Sequence, residues 1–430
     1  MTKQLFFFNI FPSWIIILMP ALLISGPFLS DLGLSLVGII FLINSIKNKL
    51  KKYYENYYFK FFFIFCVILI LSSLLSDDIL KSLKNSLFYF RFGIFSLCFW
   101  YLLENNQFLL KYLFISILLC FLSLIIDGYF QFFFGKNLFG YELYNDYRVS
   151  SFFGSELILG SYLARFFPIL FGLFIFLDKS KKNKLMLFLM TIVFILSEGL
   201  IFISGERLAL FFMNLSAVYI ILMLKEYRIY RIWTYLLSLC LIVVLMSLFP
   251  NSKERFIDKT IYDFTRNSDD KLYIFSKPHT DMYLTAYRLY LDNKFFGVGP
   301  RQFRNSCNEY SVSKYSCETH PHNTYLELMS EAGIFAFLVV AGLFIFICYI
   351  SIKHLVFKFI RSKKGIFNDF EVCLLSAIII SLWPFSPSGS FFNNWMSIVY
   401  YFPIGLLLWQ ISKYKNSIKT KKINSKLVKI

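Results

Sequence analysis

The feature that most constrains this chain is a recurring apolar run of about 17 to 25 residues, the length a helix needs to cross a hydrocarbon core of ~30 Å. Such runs fall near 6–25, 32–46, 59–75, 85–103, 108–127, 153–177, 185–203, 207–224, 231–249, 329–352, 370–384 and 395–411. Inside lipid, a spanning segment must satisfy its own backbone hydrogen bonds, so runs of this length are read as helices. The expectation is an all-α fold, a polytopic membrane helix bundle of about 12 transmembrane helices. A hydrophobic fraction of 57% and a mean hydropathy of +0.61 agree. They set aside the two or three soluble domains that a chain of this length otherwise implies.

A formal charge of +18 raises nucleic acid as a partner, and the placement of that charge excludes it. Lysine and arginine cluster between apolar runs at 47–60, 179–184, 225–231 and 353–364, and in the tail from Lys413. No basic stretch alternates with stacking aromatics on a foldable soluble domain, as a nucleic-acid surface requires. Clusters of this kind mark cytoplasmic loops, and one assignment then puts every strongly basic loop and both termini in the cytoplasm. The first residues, with Lys3 ahead of an apolar segment carrying Pro12 and Pro20, read as a first membrane helix and not as a removed signal peptide.

Four segments follow: membrane helices 1 to 9 over 1–249, a large external loop over 250–328, membrane helices 10 to 12 over 329–411, and a basic cytoplasmic tail over 412–430. Between Asn251 and His322 the loop carries eleven Lys/Arg against nine Asp/Glu, a near balance unlike the basic loops on the other side. Its pattern around Met282 to Leu291 suits short helices on the membrane surface, and Gly297-Val298-Gly299-Pro300 marks a turn after them.

Polar chemistry concentrates at one junction, His320-Pro321-His322-Asn323-Thr324-Tyr325-Leu326-Glu327, where the loop meets an apolar run. Thr324 with Glu327 three residues later fits a capping box, predicting a helix that starts there and continues past Gly333. Unpaired N–H groups at such a helix end favour an anion, and a neutral imidazole beside it can act as a general base. Ser204-Gly205-Glu206-Arg207 reaches the same face, with Ser204 as the expected cap and Arg207 in the first turn of the next helix. Glu206 is the simplest partner for Arg207, and a pyrophosphate is the more interesting one. In the loop, Arg288, Arg301 and Arg304 offer forks that bind phosphate bidentately. His279 is read as a further polar contact or a solvated loop residue.

Cys307 and Cys317 alone of the eight cysteines fall in the external loop, where an oxidising compartment favours a disulfide; a zinc site with His320 and His322 is set aside because the spacing is wrong for it. No metal or other cofactor is expected. Neither an HExxH motif nor a Ser-His-Asp order is present, which argues against a metalloprotease or serine hydrolase.

Taken together, His-Pro-His-Asn-Thr-Tyr-Leu-Glu, Glu331-Ala332-Gly333, the Gly-Val-Gly-Pro turn with Phe303, and Ser-Gly-Glu-Arg resemble the O-antigen ligase and O-antigen polymerase family. Nine residues separate His322-Asn323 from Gly333, as in the ligase pattern, whose last position is Ala336 here. The resemblance implies a GT-C-like, metal-independent, inverting glycosyltransferase in the bacterial inner membrane, with its active site on the periplasmic face. The donor it implies is an undecaprenyl-pyrophosphate-linked glycan. The acceptor is lipid A core for a ligase, placed first, or a second lipid-linked glycan for a polymerase. His322 would deprotonate the acceptor, and Arg207 with Arg301 would stabilise the departing pyrophosphate. Arg304 and then Arg288 rank behind Arg301, and Asn323, His320 and His279 would assist binding. A transporter or flippase is the alternative from another class, for which Arg91 and Arg165 in or near apolar spans are the best argument.

Overall fold

The computed structural model describes residue 4 and residues 6–145, 147–178, 183–265, 275–360 and 365–427. Parts of the basic loops expected at 179–184 and 353–364, part of the large loop, and the end of the tail lie outside the described residues. The helices are α1 (Phe11–Ile24), α2 (Pro27–Asn48), α3 (Tyr57–Leu74), α4 (Ile79–Ser86), α5 (Phe90–Asn105), α6 (Leu109–Phe134) and α7 (Leu159–Leu177). They continue with α8 (Lys184–Ile203), α9 (Arg207–Met223), α10 (Arg228–Leu248), α11 (Lys277–Asp292), α12 (Gly333–Leu355), α13 (Asp369–Ser381) and α14 (Asn394–Leu427). No strand occurs among the described residues, where two isolated bridges, Lys136 with Glu142 and Tyr144 with Arg148, are the β pairing found.

Each apolar run forms a helix, but among the described residues ten and not twelve helical segments are long and apolar enough to cross a membrane. The exceptions are α9, with 17 residues, and α13, with 13. At 1.5 Å per residue the 13 residues of α13 rise about 20 Å, well short of a ~30 Å core. Enclosure by other helices makes that length tolerable, since every residue of α13 from Phe370 to Ser381 is buried. Its start is fixed by a reciprocal cap in which Asn368 and Glu371 each bond the other's backbone N–H.

The core is formed by α5, α7, α13 and α14. Lipid tails are as apolar as leucine, so close van der Waals fit, and not exclusion of water, selects this packing. Phe402 of α14 meets Phe99 of α5 and Phe166 of α7 at centroid distances of 5.2 and 5.5 Å. Gly405 permits the approach, because a Cβ there would lie 2.8 Å from the Cβ of Phe99. Towards the outside the helices present large apolar side chains such as Ile46, Phe133 and Leu185, the surface a bilayer covers.

Alternation of the helices sends α4, the 135–158 connection, the Ser204-Gly205-Glu206 turn, the large loop and the 382–393 connection to one face. The basic segments that are described lie at the other.

Candidate functional site

The site is built where Asn323 ends the large loop. Its Oδ1 accepts from the N–H groups of Tyr325 (3.0 Å) and Leu326 (3.1 Å), and its Nδ2 donates to the carbonyls of Pro384 (2.9 Å) and Ser386 (3.3 Å). Asn323, and not Thr324, is therefore the cap, since a short amide on extended backbone reaches these N–H groups from one residue earlier. Glu327 is drawn away from the capping role by Ser390 Oγ at 2.5 Å and the Phe391 N–H at 2.7 Å. Two N–H groups expected to face an anion are thus already occupied, and that task passes to side chains.

Nor does the helix run smoothly past Gly333. The turn Thr324–Glu327 is followed by a π turn, Leu328–Ala332, and Gly333 takes a φ of +77°. The N–H groups of Val298 and Gly299 donate to the carbonyls of Ser330 (3.0 Å) and Glu331 (2.7 Å), while the Ile334 N–H donates to the Lys294 carbonyl (2.9 Å). The Gly-Val-Gly-Pro segment therefore lies flat against the break. A Cβ on Gly333 would fall 2.1 Å from the Phe295 carbonyl oxygen, and one on Gly297 2.4 Å from the Glu331 carbonyl carbon. Both obstacles are backbone, which is why these positions take glycine. The Glu331 carboxylate completes the clasp by accepting from the N–H groups of Arg301 (2.6 Å) and Phe303 (2.9 Å). It holds Arg301 at a φ of +63°, and the Arg301 and Arg304 side chains line a surface cleft.

His322 is likewise in the left-handed region, at a φ of +52°, and its carbonyl accepts from the Ser388 N–H at 2.8 Å. Its ring centroid lies 4.0 Å from that of His320 and 5.7 Å from that of His279, so three imidazoles meet. Glu318 Oε2 is 3.3 Å from His322 Nε2. An Nε2–H donated to Glu318 leaves the Nδ1 lone pair open, the state a general base requires. His279 Nδ1 is paired with Ser276 Oγ at 2.7 Å, and His320 Nδ1 with Thr319 Oγ1 at 2.9 Å. Burial pushes the His320 imidazole down to about 4, helped by the charges of His322, Arg304 and Arg301. It is a neutral neighbour for His322.

At the second motif, Ser204 does not cap α9, because its Oγ donates back to the Ile201 carbonyl at 2.8 Å. Glu206 serves a different helix: its carboxylate accepts from the N–H groups of Gly160 (2.7 Å) and Ser161 (3.0 Å) in the first turn of α7, where an acid is favoured. Arg148 Nε donates to the Ser204 carbonyl (2.9 Å), Arg255 Nε to the Gly205 carbonyl (2.6 Å), and Arg207 Nη1 to Thr260 Oγ1 (2.9 Å).

Both motifs meet the 382–393 connection. Phe211, one turn after Arg207, packs on Trp383 with centroids 6.0 Å apart, and the next residue, Pro384, accepts from Asn323. Arg165, buried in α7, lies within charge range of Glu206 and of Tyr400, and Tyr400 lies beside Thr324 and Glu327. The segments that carry Arg207 and His322 thus both meet the 382–393 connection. Arg288 is exposed, nine residues along α11 from His279 and so about half a turn around the helix. Cys307 and Cys317 are bonded to each other, with Cα atoms 5.4 Å apart. Sequence reasoning missed Glu318, Lys81, Lys84, Arg148 and Arg255; an acid four residues before His322 was a usable signal for the first of these, and nothing local marks the others.

Fold and site together define a multi-pass helical membrane protein with a histidine and arginine site at one end of its bundle. Residues 191–341, which hold both motifs, match the family model described as O-antigen ligase, and the resemblance drawn from those motifs is borne out. The chain is also 24% identical over 235 residues to the teichuronic acid biosynthesis protein TuaE of Bacillus subtilis (strain 168). That alignment covers 54% of this chain and 47% of TuaE, so the chain spans about half the length of this curated relative.

Proposed function

We propose that this chain is an inner-membrane glycosyltransferase that moves a glycan from an undecaprenyl-pyrophosphate carrier to an acceptor hydroxyl. The site faces the periplasm, and both termini face the cytoplasm. The observation that carries the reading is the place of His322: a partly exposed imidazole oriented by Glu318, beside a neutral His320 that lies within charge range of Arg304 and Arg301. In this reading His322 takes the acceptor proton, the acceptor oxygen attacks the sugar carbon in line, and the diphosphate departs with the bonding electrons. Inversion follows from a single displacement. Arg301 and Arg304 meet the charge that develops on the leaving group, with Arg207 at the adjoining end of α9. No step calls for a metal ion.

An O-antigen ligase acting on lipid A core is the first form of this proposal. A polymerase, with a second lipid-linked glycan as acceptor, is favoured by the relative named for teichuronic acid biosynthesis. The transporter reading gains little support, because Arg91 is paired with Asp31 at 2.8 Å, Arg91 in the first turn of α5 and Asp31 in the second turn of α2, both near a helix end and away from a midplane site.

The test is reconstitution of the full chain with a lipid-linked glycan and, separately, lipid A core or a second lipid-linked glycan. Transfer to one acceptor is expected, and His322→Ala should slow it by about 10²- to 10⁴-fold. An unaltered rate in that variant removes the proposal.

A further inference from the structure

Helix α4 begins between two apolar runs, and its neighbourhood is fixed against the Gly-Val-Gly-Pro segment more than 200 positions later in the chain. Asp78 caps it by accepting from the Lys81 N–H at 3.2 Å. On its inner side Ser82 Oγ donates to Ser73 Oγ (2.8 Å), Ser73 Oγ donates to Ser86 Oγ (2.7 Å), and Ser76 Oγ from the preceding turn donates to the Val298 carbonyl (2.6 Å). A Cβ on Gly299 would lie 2.6 Å from both Ser76 Oγ and Ser82 Oγ. With its serines turned inward, α4 carries Lys81, Lys84 and Asn85 to the edge where Arg301, Gln302, Arg304 and Asn305 stand.

These seven residues line a cleft of about 410 Å³. Four are basic, three carry amides, and none is acidic. Lys81 is paired with Asp78 at 2.7 Å on the rim. Among the described residues, Lys84 and the guanidinium groups of Arg301 and Arg304 have no ion pair. The nearby buried carboxylates do not occupy them: Glu331 is filled by the N–H groups of Arg301 and Phe303, and Glu327 by Ser390 and the Phe391 N–H. The charges of Arg301 and Arg304 also reach His320, so the cleft adjoins the histidines. Lysines in a short connection on this face run against the bias that gathers cations on the opposite side.

We propose that this cleft is the subsite for an acidic sugar of the transferred or accepting glycan, a unit bearing a carboxylate or phosphate; the inference rests on the glycosyltransferase reading above. Lys84 and Lys81 hold the anion on the α4 side of the cleft, the amides of Asn85, Gln302 and Asn305 pair with ring hydroxyls, and Arg301 and Arg304 remain for the departing diphosphate. The lysines are specificity determinants, since the proton transfer is assigned to His322.

The test uses the purified full chain in neutral phosphatidylcholine nanodiscs, with fluorescent oligogalacturonate and its methyl ester as probes. The free acid should bind at least tenfold more tightly than the ester and weaken with added salt. Lys81→Gln with Lys84→Gln should lower its affinity at least tenfold, and Lys→Arg at both positions should retain it. Equal binding of acid and ester, or full affinity in the glutamine pair, overturns the proposal. Displacement of the probe by soluble glycerophosphoglycerol as readily as by unlabelled oligogalacturonate assigns the cleft to headgroups and also overturns it. His322→Ala should bind the probe normally, so failure of the transfer reading and failure of the acidic subsite give different results.

Discussion

Two sets of arginines occupy the same face of this bundle and are used in opposite ways. Around Ser204-Gly205-Glu206-Arg207, Arg148 and Arg255 each donate to a backbone carbonyl of the turn, and Arg207 donates to Thr260. Around Gly297-Val298-Gly299-Pro300 the backbone N–H of Arg301 is held by Glu331, and the side chains of Arg301 and Arg304 open onto a cleft. Arg148 and Arg255 each commit a donor to holding a turn together, whereas Arg301 is held by its backbone and keeps its guanidinium for something else. A residue type therefore does not identify a ligand contact until its existing hydrogen bonds are counted.

That contrast can be broken by experiment. The largest effect is expected from Arg301→Ala, which should reduce glycan transfer by about 10²- to 10³-fold, the loss typical of one donor to a developing anion, with the melting temperature little changed. A drop in melting temperature large enough to account for the lost rate would erase the distinction. Arg148→Ala should do the reverse and destabilise the chain by about 1–3 kcal/mol, because the Ser204 carbonyl is left unpaired in a buried setting. Thermal unfolding in detergent alongside a transfer assay separates the two cases.

Smaller effects sharpen the picture. Asn323→Ala should cost about 1 kcal/mol by freeing the Tyr325 and Leu326 N–H groups, and Thr324→Ala should cost less in the same unfolding assay if Asn323 is the cap. A further effect concerns acid. His320 is held down at about 4 in the folded chain against an ordinary value of 6.5. Between those values the unfolded chain takes a proton that the folded chain refuses, so stability is fully present above 6.5 and declines as the pH falls through that window. Amide exchange around 320–331 should therefore quicken at pH 5 relative to pH 7, allowing for intrinsic rates, and His320→Gln should reduce the difference.

Much of the fold was legible because membrane insertion writes itself into local composition. Every apolar run became a helix. The lengths of α9 and α13 were harder to judge, since only enclosure by neighbours makes a short apolar helix acceptable, and enclosure is not a local property. A helix start at the histidine junction was legible, but its cap was assigned to Thr324 because the capping-box pattern cannot see that Ser390 and Phe391 compete for Glu327. Glu206 was read beside its neighbour Arg207, whereas it caps α7, whose first turn lies more than 40 residues earlier. The meeting of Lys81 and Lys84 with Arg301 and Arg304 left no trace in any window of sequence, because it depends on two glycines admitting backbone where a methyl group would collide.

The three backbone bonds that lay the Gly-Val-Gly-Pro segment along the break at Gly333 tie the outer loop to a helix embedded in lipid. Arg301 is thereby coupled to the tilt of α12. A thinner or thicker bilayer that changes this tilt should displace the guanidinium relative to the imidazole, making turnover sensitive to acyl-chain length even where substrate concentration is held constant.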